Sequence, residues 1–441
     1  MDDGWLAELS ELLRIPSVSA DPAHAADVQR AGQWVCDFVS SAGGSCELVQ
    51  RGERPLALGE LRASADGDGA PTVLVYGHFD VQPPAPLDEW ESDPFEPDVR
   101  DGWLYARGVA DDKGQLYLLL KAAALLAAEG SLPVNIRVAC DGEEEVGGHS
   151  IVDFLAEDKA GADVCVIFDG GMLQRDVPAF FVATRGVAAF RVFCQTGTRD
   201  LHSGLYGGAA MNATHALVQT LAGVLPREGR LAEPLRQGRV PPSEEELESW
   251  RTLRPGAEEL EQAGAVPLDP RAAKEFYLRT WAEPSLDVVG ILGGKPGVRN
   301  TTISARAVAD LTIRLAPGQD LETIIRATQD LLREAAPGGA RLEFEEQDAA
   351  PPGLIPADAP AVQLGLDAFE RALGVRPLLV RSGGTLPIVP ALAGKGMPTI
   401  LSGFALPESN IHSPNERMLL DYFPRGIEAA QELYRSFAAL R

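Results

Sequence analysis

The chain has 441 residues, 45% hydrophobic and 23% charged, an ordinary globular balance with apolar material enough for two or three cored domains. Its 39 Lys and Arg against 64 Asp and Glu leave a net charge of −25, which repels phosphate backbones and anionic surfaces and so excludes nucleic-acid or membrane binding as its main task, though not the binding of divalent cations. No apolar run reaches the roughly 18–20 residues of a membrane span, the N-terminus has no signal-peptide pattern, and the five scattered cysteines predict reduced thiols in a cytoplasmic protein.

Residues 3–15 place Trp5, Leu6, Leu9, Leu12 and Leu13 on one stripe and predict an amphipathic helix; a second, over 24–42, turns Val28, Trp34, Val35 and Phe38 inward. The apolar runs Val73–Tyr76, Ile136–Cys140 and Val164–Phe168, each bounded by turn residues, predict buried strands, with a helix at Leu116–Ala128 between the first two. Strands alternating with helices predict an α/β class with a mainly parallel sheet covered by helices. From Gly186 the texture changes. Strands at Val187–Cys194, Leu286–Leu292, Val308–Leu315 and Arg341–Glu346, with helices over 209–224 and 320–335, describe an α+β unit, and the polar stretch 226–285 reads as its surface elaboration. The α/β pattern then returns, with a helix over 359–373, the Gly-rich segment RSGGTLP at 381–387, a buried strand at Pro398–Leu401 and a last helix over 421–439. The expected organisation is one domain split in sequence, 1–185 and 351–441, around an inserted α+β domain, 186–350.

The three buried strands end alike. Val73–Tyr76 runs into Gly77-His78-Phe79-Asp80, Ile136–Cys140 into Asp141-Gly142-Glu143-Glu144-Glu145, and Val164–Phe168 into Asp169-Gly170-Gly171. Ligands in open α/β sheets bind outside the carboxyl ends of the strands. Acidic clusters there repel one another unless a cation sits between them. Ala106–Gly114 (ARGVADDKG) adds Asp111 before a helix, where an Asp ordinarily serves as N-cap. His412 stands in a late loop. His, Asp and Glu without Cys suit Zn²⁺, Mn²⁺ or Co²⁺, and two His with three carboxylates hold two ions if one carboxylate bridges.

With these pieces the chain resembles the dinuclear-zinc exopeptidase family, nearest its cytosolic nonspecific dipeptidase and carnosinase branch. The blocks that carry the resemblance are GHFDVQPP (77–84), ARGVADDKG (106–114), GEEEVGG (142–148), IFDGG (167–171), DLHSGLYGG (200–208) and NIHSPNE (410–416). The resemblance implies that His78, Asp111 and Asp169 hold one metal and Asp111, Glu145 and His412 the other, with Asp111 bridging and a cis peptide at Asp111–Asp112. It implies Glu144 as general base and Asp80 as the partner that orients His78. A one-residue slip in Glu143-Glu144-Glu145 would move the base and ligand to Glu143 and Glu144. His202 would stabilise the oxyanion in a partner's active site. Asn300 and Arg314 would contact the substrate. Arg381 and Gly384 lie in a segment like the family's R-E-G-G-S block, where Ser382 replaces Glu and Thr385 replaces Ser.

The expected function is hydrolysis of dipeptides or short peptides by two divalent ions, Zn most readily, in a homodimer that binds neither nucleic acid nor membrane. The inserted domain would be lid and dimer interface. Asp169, where deacylating relatives carry Glu, favours a dipeptidase. The alternatives are an N-acyl-amino-acid deacylase or desuccinylase using the same site, and a non-catalytic metal-binding interaction protein.

Overall fold

Thr72–His78, Asn135–Asp141, Val164–Phe168 and Thr399–Ser402 run parallel, so their carboxyl ends come out at one edge of a single sheet. The computed structural model that shows this describes residues 1–65, 67–295, 297 and 299–440. The sheet is six-stranded. An antiparallel hairpin, Ser45–Arg51 with Arg54–Leu61, closes one side and pairs antiparallel with Asn135–Asp141. The central strands read as unbroken apolar runs because both faces are covered: Val73, Leu74, Val75 and Tyr76 are at most 1% exposed. Helices Ala25–Ser41, Lys113–Ala128, Pro360–Leu373 and Tyr422–Phe437 supply the cover. The hairpin escapes a reading by apolar runs, since its first strand alternates Cys46, Leu48 with Glu47, Gln50 and is only half-buried.

The chain divides into two compact units. One comprises Met1–Val182, Ile355–Val380 and Ala391–Arg441, the other Ala183–Leu354 with Arg381–Pro390. The first holds the sheet just described. The second holds a four-stranded antiparallel sheet in the order Ser285–Gly293, Arg306–Leu315, Gly186–Gln195, Arg341–Ala350. Helices Ala213–Leu221 and Leu321–Ala335 pack on it around Phe190, Val192, Leu217, Ile313, Ile324 and Leu332. The first of these helices is shorter than the expected 209–224 because Asn212 caps it, accepting from Thr214 N.

Two expectations are corrected. Arg381–Pro390, expected within 351–441 of the split domain, groups with the second unit. The 226–285 stretch is not a mere surface elaboration. Its helix Glu244–Arg251 opens with a capping box between Ser243 and Glu246, and Glu246 is buried against Arg381. Among the described residues no helix is long and apolar enough to cross a membrane.

Candidate metal centre

His78 ends its strand fully buried, with Asp141 as its register partner on the next strand. Its Nδ1 lies 3.1 Å from the carbonyl oxygen of Asp80 and 3.4 Å from Asp80 Oδ1. A proton on Nδ1 satisfies both and leaves the Nε2 lone pair for the centre. Nε2 lies 2.9 Å from Asp111 Oδ1 and 3.9 Å from Asp169 Oδ1. The other oxygen of Asp111 is 2.9 Å from His412 Nε2, which is 3.1 Å from Glu145 Oε2. Two groups of ligand atoms result, His78–Asp111–Asp169 and Asp111–Glu145–His412, each with its atoms within 4.8 Å of one another and sharing Asp111.

The local backbone explains why these residues meet. Asp80 is fully buried, and its Oδ1 and Oδ2 accept the backbone N–H groups of Glu144 and Glu145 at 3.2 and 3.1 Å. The end of one strand thereby holds the turn that follows its neighbour. A Cβ on Gly77 would sit 2.6 Å from Asp112 Oδ2, so only glycine lets that carboxylate close on the strand. His412 is in the left-handed region at φ 59°, between Asn410 at 55° and Asn415 at 60°. The Asp111–Asp112 peptide is cis. Glu143 turns away: its Oε1 accepts from Ser150 N at the start of helix Ser150–Glu157, and Glu145 is the glutamate that reaches Asp111 and His412.

The charges ask for cations. Burial, then the fields of Asp111 and Asp112, push Asp169 well above the usual carboxylate range. Burial would raise Asp111 too, but hydrogen bonds with His412 and His78 outweigh it and hold its carboxyl below the usual range. Hydrogen bonds to Asp111 and Glu145 push His412 up to about 10. Burial pushes Glu144 up to about 7, with Glu145, Asp111 and Asp80 adding to the rise and His78 opposing it. Glu145 Oε1 is buried with no hydrogen-bond partner among the described residues, although Oε2 accepts from Gln82 at 2.9 Å. An orphaned carboxylate oxygen inside a cluster of N and O donors is what a bound cation would satisfy, and the donor set suits a borderline divalent ion.

Several residues that shape the centre went unread in the sequence. Glu416 is fully buried. It accepts from Arg107 Nη1 at 2.7 Å and from the backbone of Gly108, Ala110 and Asp111 at 2.9, 2.8 and 3.1 Å, so it holds the loop that presents Asp111. It stands at the end of NIHSPNE, four residues after His412, and the motif could have flagged it. Lys113, also buried, donates from Nζ to Leu12 O and Ile15 O at the end of the first helix; burial draws it down to about 7 against the pull of Asp80 and Glu416. Asp111 is not the helix cap; Asp112 holds the N-cap position of helix Lys113–Ala128, and its side chain makes no capping hydrogen bond. Instead its Oδ2 accepts from His78 N at 3.2 Å, its Oδ1 is a second buried oxygen without a partner among the described residues, and burial raises its carboxyl well above the usual range.

The remaining expected residues lie in the second unit. His202 is exposed, and its Nδ1 accepts from Gly204 N at 3.0 Å, so in the neutral ring the proton sits on Nε2. Asn300 Oδ1 accepts from Thr302 N. Arg314 Nη1 donates to Thr385 Oγ1 at 3.0 Å. The amide of Gly384 is taken by Ser382 Oγ at 3.0 Å. Arg381 is a correction: it is not placed to hold substrate. Only 1% exposed, it grips Glu246 at 2.5 and 3.1 Å and donates to Val240 O and Pro241 O, which uses up its fork inside the fold.

A peptidase family M20/M25/M40 model matches residues 74–436. A cysteinylglycine-S-conjugate dipeptidase of Corynebacterium striatum is 29% identical over 93% of this chain and 90% of its own. The crystal structure of human carnosine dipeptidase 1 superposes with a TM-score of 0.76 at 26% identity, covering 99% of this chain and 96% of that one. An M20 family metallo-carboxypeptidase of Sulfolobus solfataricus shares the fold at a TM-score of 0.84 and 24% identity, with both chains fully covered. With the match spanning the strand ends, the bridging aspartate and the His412 loop alike, the chain belongs to peptidase family M20/M25/M40 and is a metallopeptidase.

Proposed function

We propose that the protein is a dinuclear metallodipeptidase that cleaves dipeptides with free amino termini. The observation that carries the reading is the sharing of Asp111 between two ligand groups, with Glu144 raised to about 7 beside them. The dipeptidase names of relatives that match nearly the whole chain support the substrate class. His78, Asp111 and Asp169 would hold one ion and Asp111, Glu145 and His412 the second. Such a pair supplies Lewis-acid polarisation of the scissile carbonyl and acidifies the attacking water. Zn²⁺ is our assignment, with Mn²⁺ or Co²⁺ compatible with the same donors.

The chain's own residues do the rest. Glu144 takes a proton from the attacking water and passes it to the leaving amine; a carboxyl near 7 can do both at neutral pH. Asp80 holds the Glu144–Glu145 backbone and the His78 ring in one arrangement. His202, with its free proton on Nε2, donates to the oxyanion in the site of a second copy. Arg314 and Asn300 receive the substrate's carboxylate and carbonyl. We assign the second unit as lid and dimer interface, where the exposed Leu205, Tyr206, Val218, Val289, Ile291 and Leu292 suit burial against a second copy. Five free cysteines suit the cytoplasm.

The test is turnover of free-amino dipeptides against their N-acyl-amino-acid counterparts by protein loaded with Zn²⁺ or Mn²⁺, with a chelated control. Chelator-sensitive cleavage of the dipeptides is expected. Preference for the acylated set would move the protein to deacylation and overturn the substrate class. Failure on every amide with both ions bound would overturn the catalytic reading.

A further inference from the structure

One end of the second unit's sheet brings together two arginines, Arg185 and Arg314, that have no acid partner among the described residues. Arg314 is the register partner of Ser285 on one neighbouring strand and of Val187 on the other. Directly opposed side chains share a face, and Arg185, two residues before Val187, falls on that face as well. The contacts agree. Arg185 donates from Nη1 to Ser285 Oγ at 3.3 Å and from Nε to Gly383 O at 3.1 Å, while Arg314 donates to Thr385 Oγ1. A Cβ on Gly383 would lie 3.7 Å from Arg185 Nη2, so the Ser382–Thr385 loop lies close against the guanidinium.

Among the described residues neither arginine forms an ion pair, in contrast to Arg381 with Glu246, Arg236 with Glu283 and Arg191 with Asp310 in the same unit. The carboxylate whose field reaches Arg185 is Asp287, which stays out of ion-pair contact. Burial, and then the like charge of Arg314, draw Arg185 down to about 10. Two half-buried cations set side by side among serine and threonine hydroxyls are unfavourable until an anion joins them. Position 382, where the resembled block has Glu, offers only a hydroxyl, which is spent on Gly384 N.

We propose that Arg185 and Arg314 form a two-guanidinium subsite for a dicarboxylate, which selects dipeptides whose leaving residue is Asp or Glu. The inference rests on the dipeptidase reading. One planar fork suffices for the carboxylate that ends every peptide. The second is matched by a carboxylate a few bonds away, which is the side chain of an acidic leaving residue. Arg185 is thus a specificity-determining residue distinct from the metal ligands and the base.

The experiment compares kcat/KM for Ala-Glu and its neutral isostere Ala-Gln in the metal-loaded wild type, Arg185→Gln and Arg185→Lys. The wild type should favour Ala-Glu by roughly tenfold or more, the scale of one charge-assisted pair. Arg185→Gln should bring the ratio close to one, and Arg185→Lys should keep part of the preference. A purely structural role would lower both rates together and leave the ratio unchanged, which overturns the proposal, as does a wild type indifferent to the charge. Should Arg185→Gln not fold, calorimetric binding of L-glutamate against L-glutamine to the wild type decides, and equal affinities overturn the subsite. If glutamate binds better than glutamine yet neither dipeptide is cleaved, the subsite stands and the dipeptidase reading falls.

Discussion

Asp80 gives both of its carboxylate oxygens to Glu144 and Glu145 backbone N–H groups while standing 3.4 Å from the ring of His78, so one buried side chain ties the proposed base, a member of each candidate ligand group and two neighbouring strands together. Replacing it should therefore disturb both ions at once. Asp80→Asn keeps the volume but turns one acceptor into a donor facing an N–H. Metal affinity or kcat/KM should fall by about 10–100-fold, the usual cost of removing a partner that orients a ligand. Ion content after dialysis and kinetics at saturating metal check this, and an unchanged Kd for both ions would contradict it.

Glu144 makes no side-chain hydrogen bond among the described residues and reaches about 7 through burial first and its acidic neighbours second. Glu144→Gln should lower kcat by roughly 10²–10⁴ while two ions per chain remain bound, because the variant removes proton transfer and leaves the ligands in place. Elemental analysis beside single-turnover kinetics separates the two effects. Loss of an ion in the variant would instead make Glu144 a ligand.

The parts of the centre that could be read in advance are those the sheet itself presents. Strands that run parallel must bring their carboxyl ends together; His78 is the last residue of one, the turn carrying Glu144 and Glu145 follows a second, and Asp169 follows a third. Burial of charge was not legible. Glu416 looks like a loop acid until the backbone of Gly108–Asp111 is seen wrapped around it. Arg381 reads as a substrate arginine in a glycine-rich segment because its partner, Glu246, is 135 residues away in a stretch with no apolar pattern. Capping and long-range ion pairs leave a mark in sequence only when both members are recognised, and here Ser243–Glu246 was a capping box in plain view.

The Arg107–Glu416 pair follows the energetics of buried charges. Its side chains are 1% and 0% exposed. Glu416→Ala would leave the Arg107 charge without its counter-ion and take the acceptor from Arg107 Nη1 and three backbone N–H groups, while Arg107 Nη2 keeps Pro83 O at 3.4 Å. The cost should be about 3–5 kcal/mol, the range for breaking a buried ion pair from one side. Chemical denaturation should show a lower midpoint with little change in slope. The double variant Arg107→Met, Glu416→Ala should recover part of the loss, which a solvent-exposed pair would not do.

Metal binding should be linked to protons through His412. Its hydrogen bonds to Asp111 and Glu145 raise it to about 10 in the metal-free protein, against a usual value near 6.5. A raised value stabilises the fold fully below about 6.5, and that contribution is lost as pH climbs through about 10. The stability gap between metal-free wild type and His412→Gln should therefore shrink across this window. An ion at the same site has to displace that proton, so its affinity should rise with pH over the same range. Calorimetric titration of Zn²⁺ at pH 7 in buffers of different ionisation enthalpy should reveal protons released on binding. The release should diminish in His412→Gln, and a wild type that binds metal with no proton release would show that the imidazole is already neutral before the ion arrives.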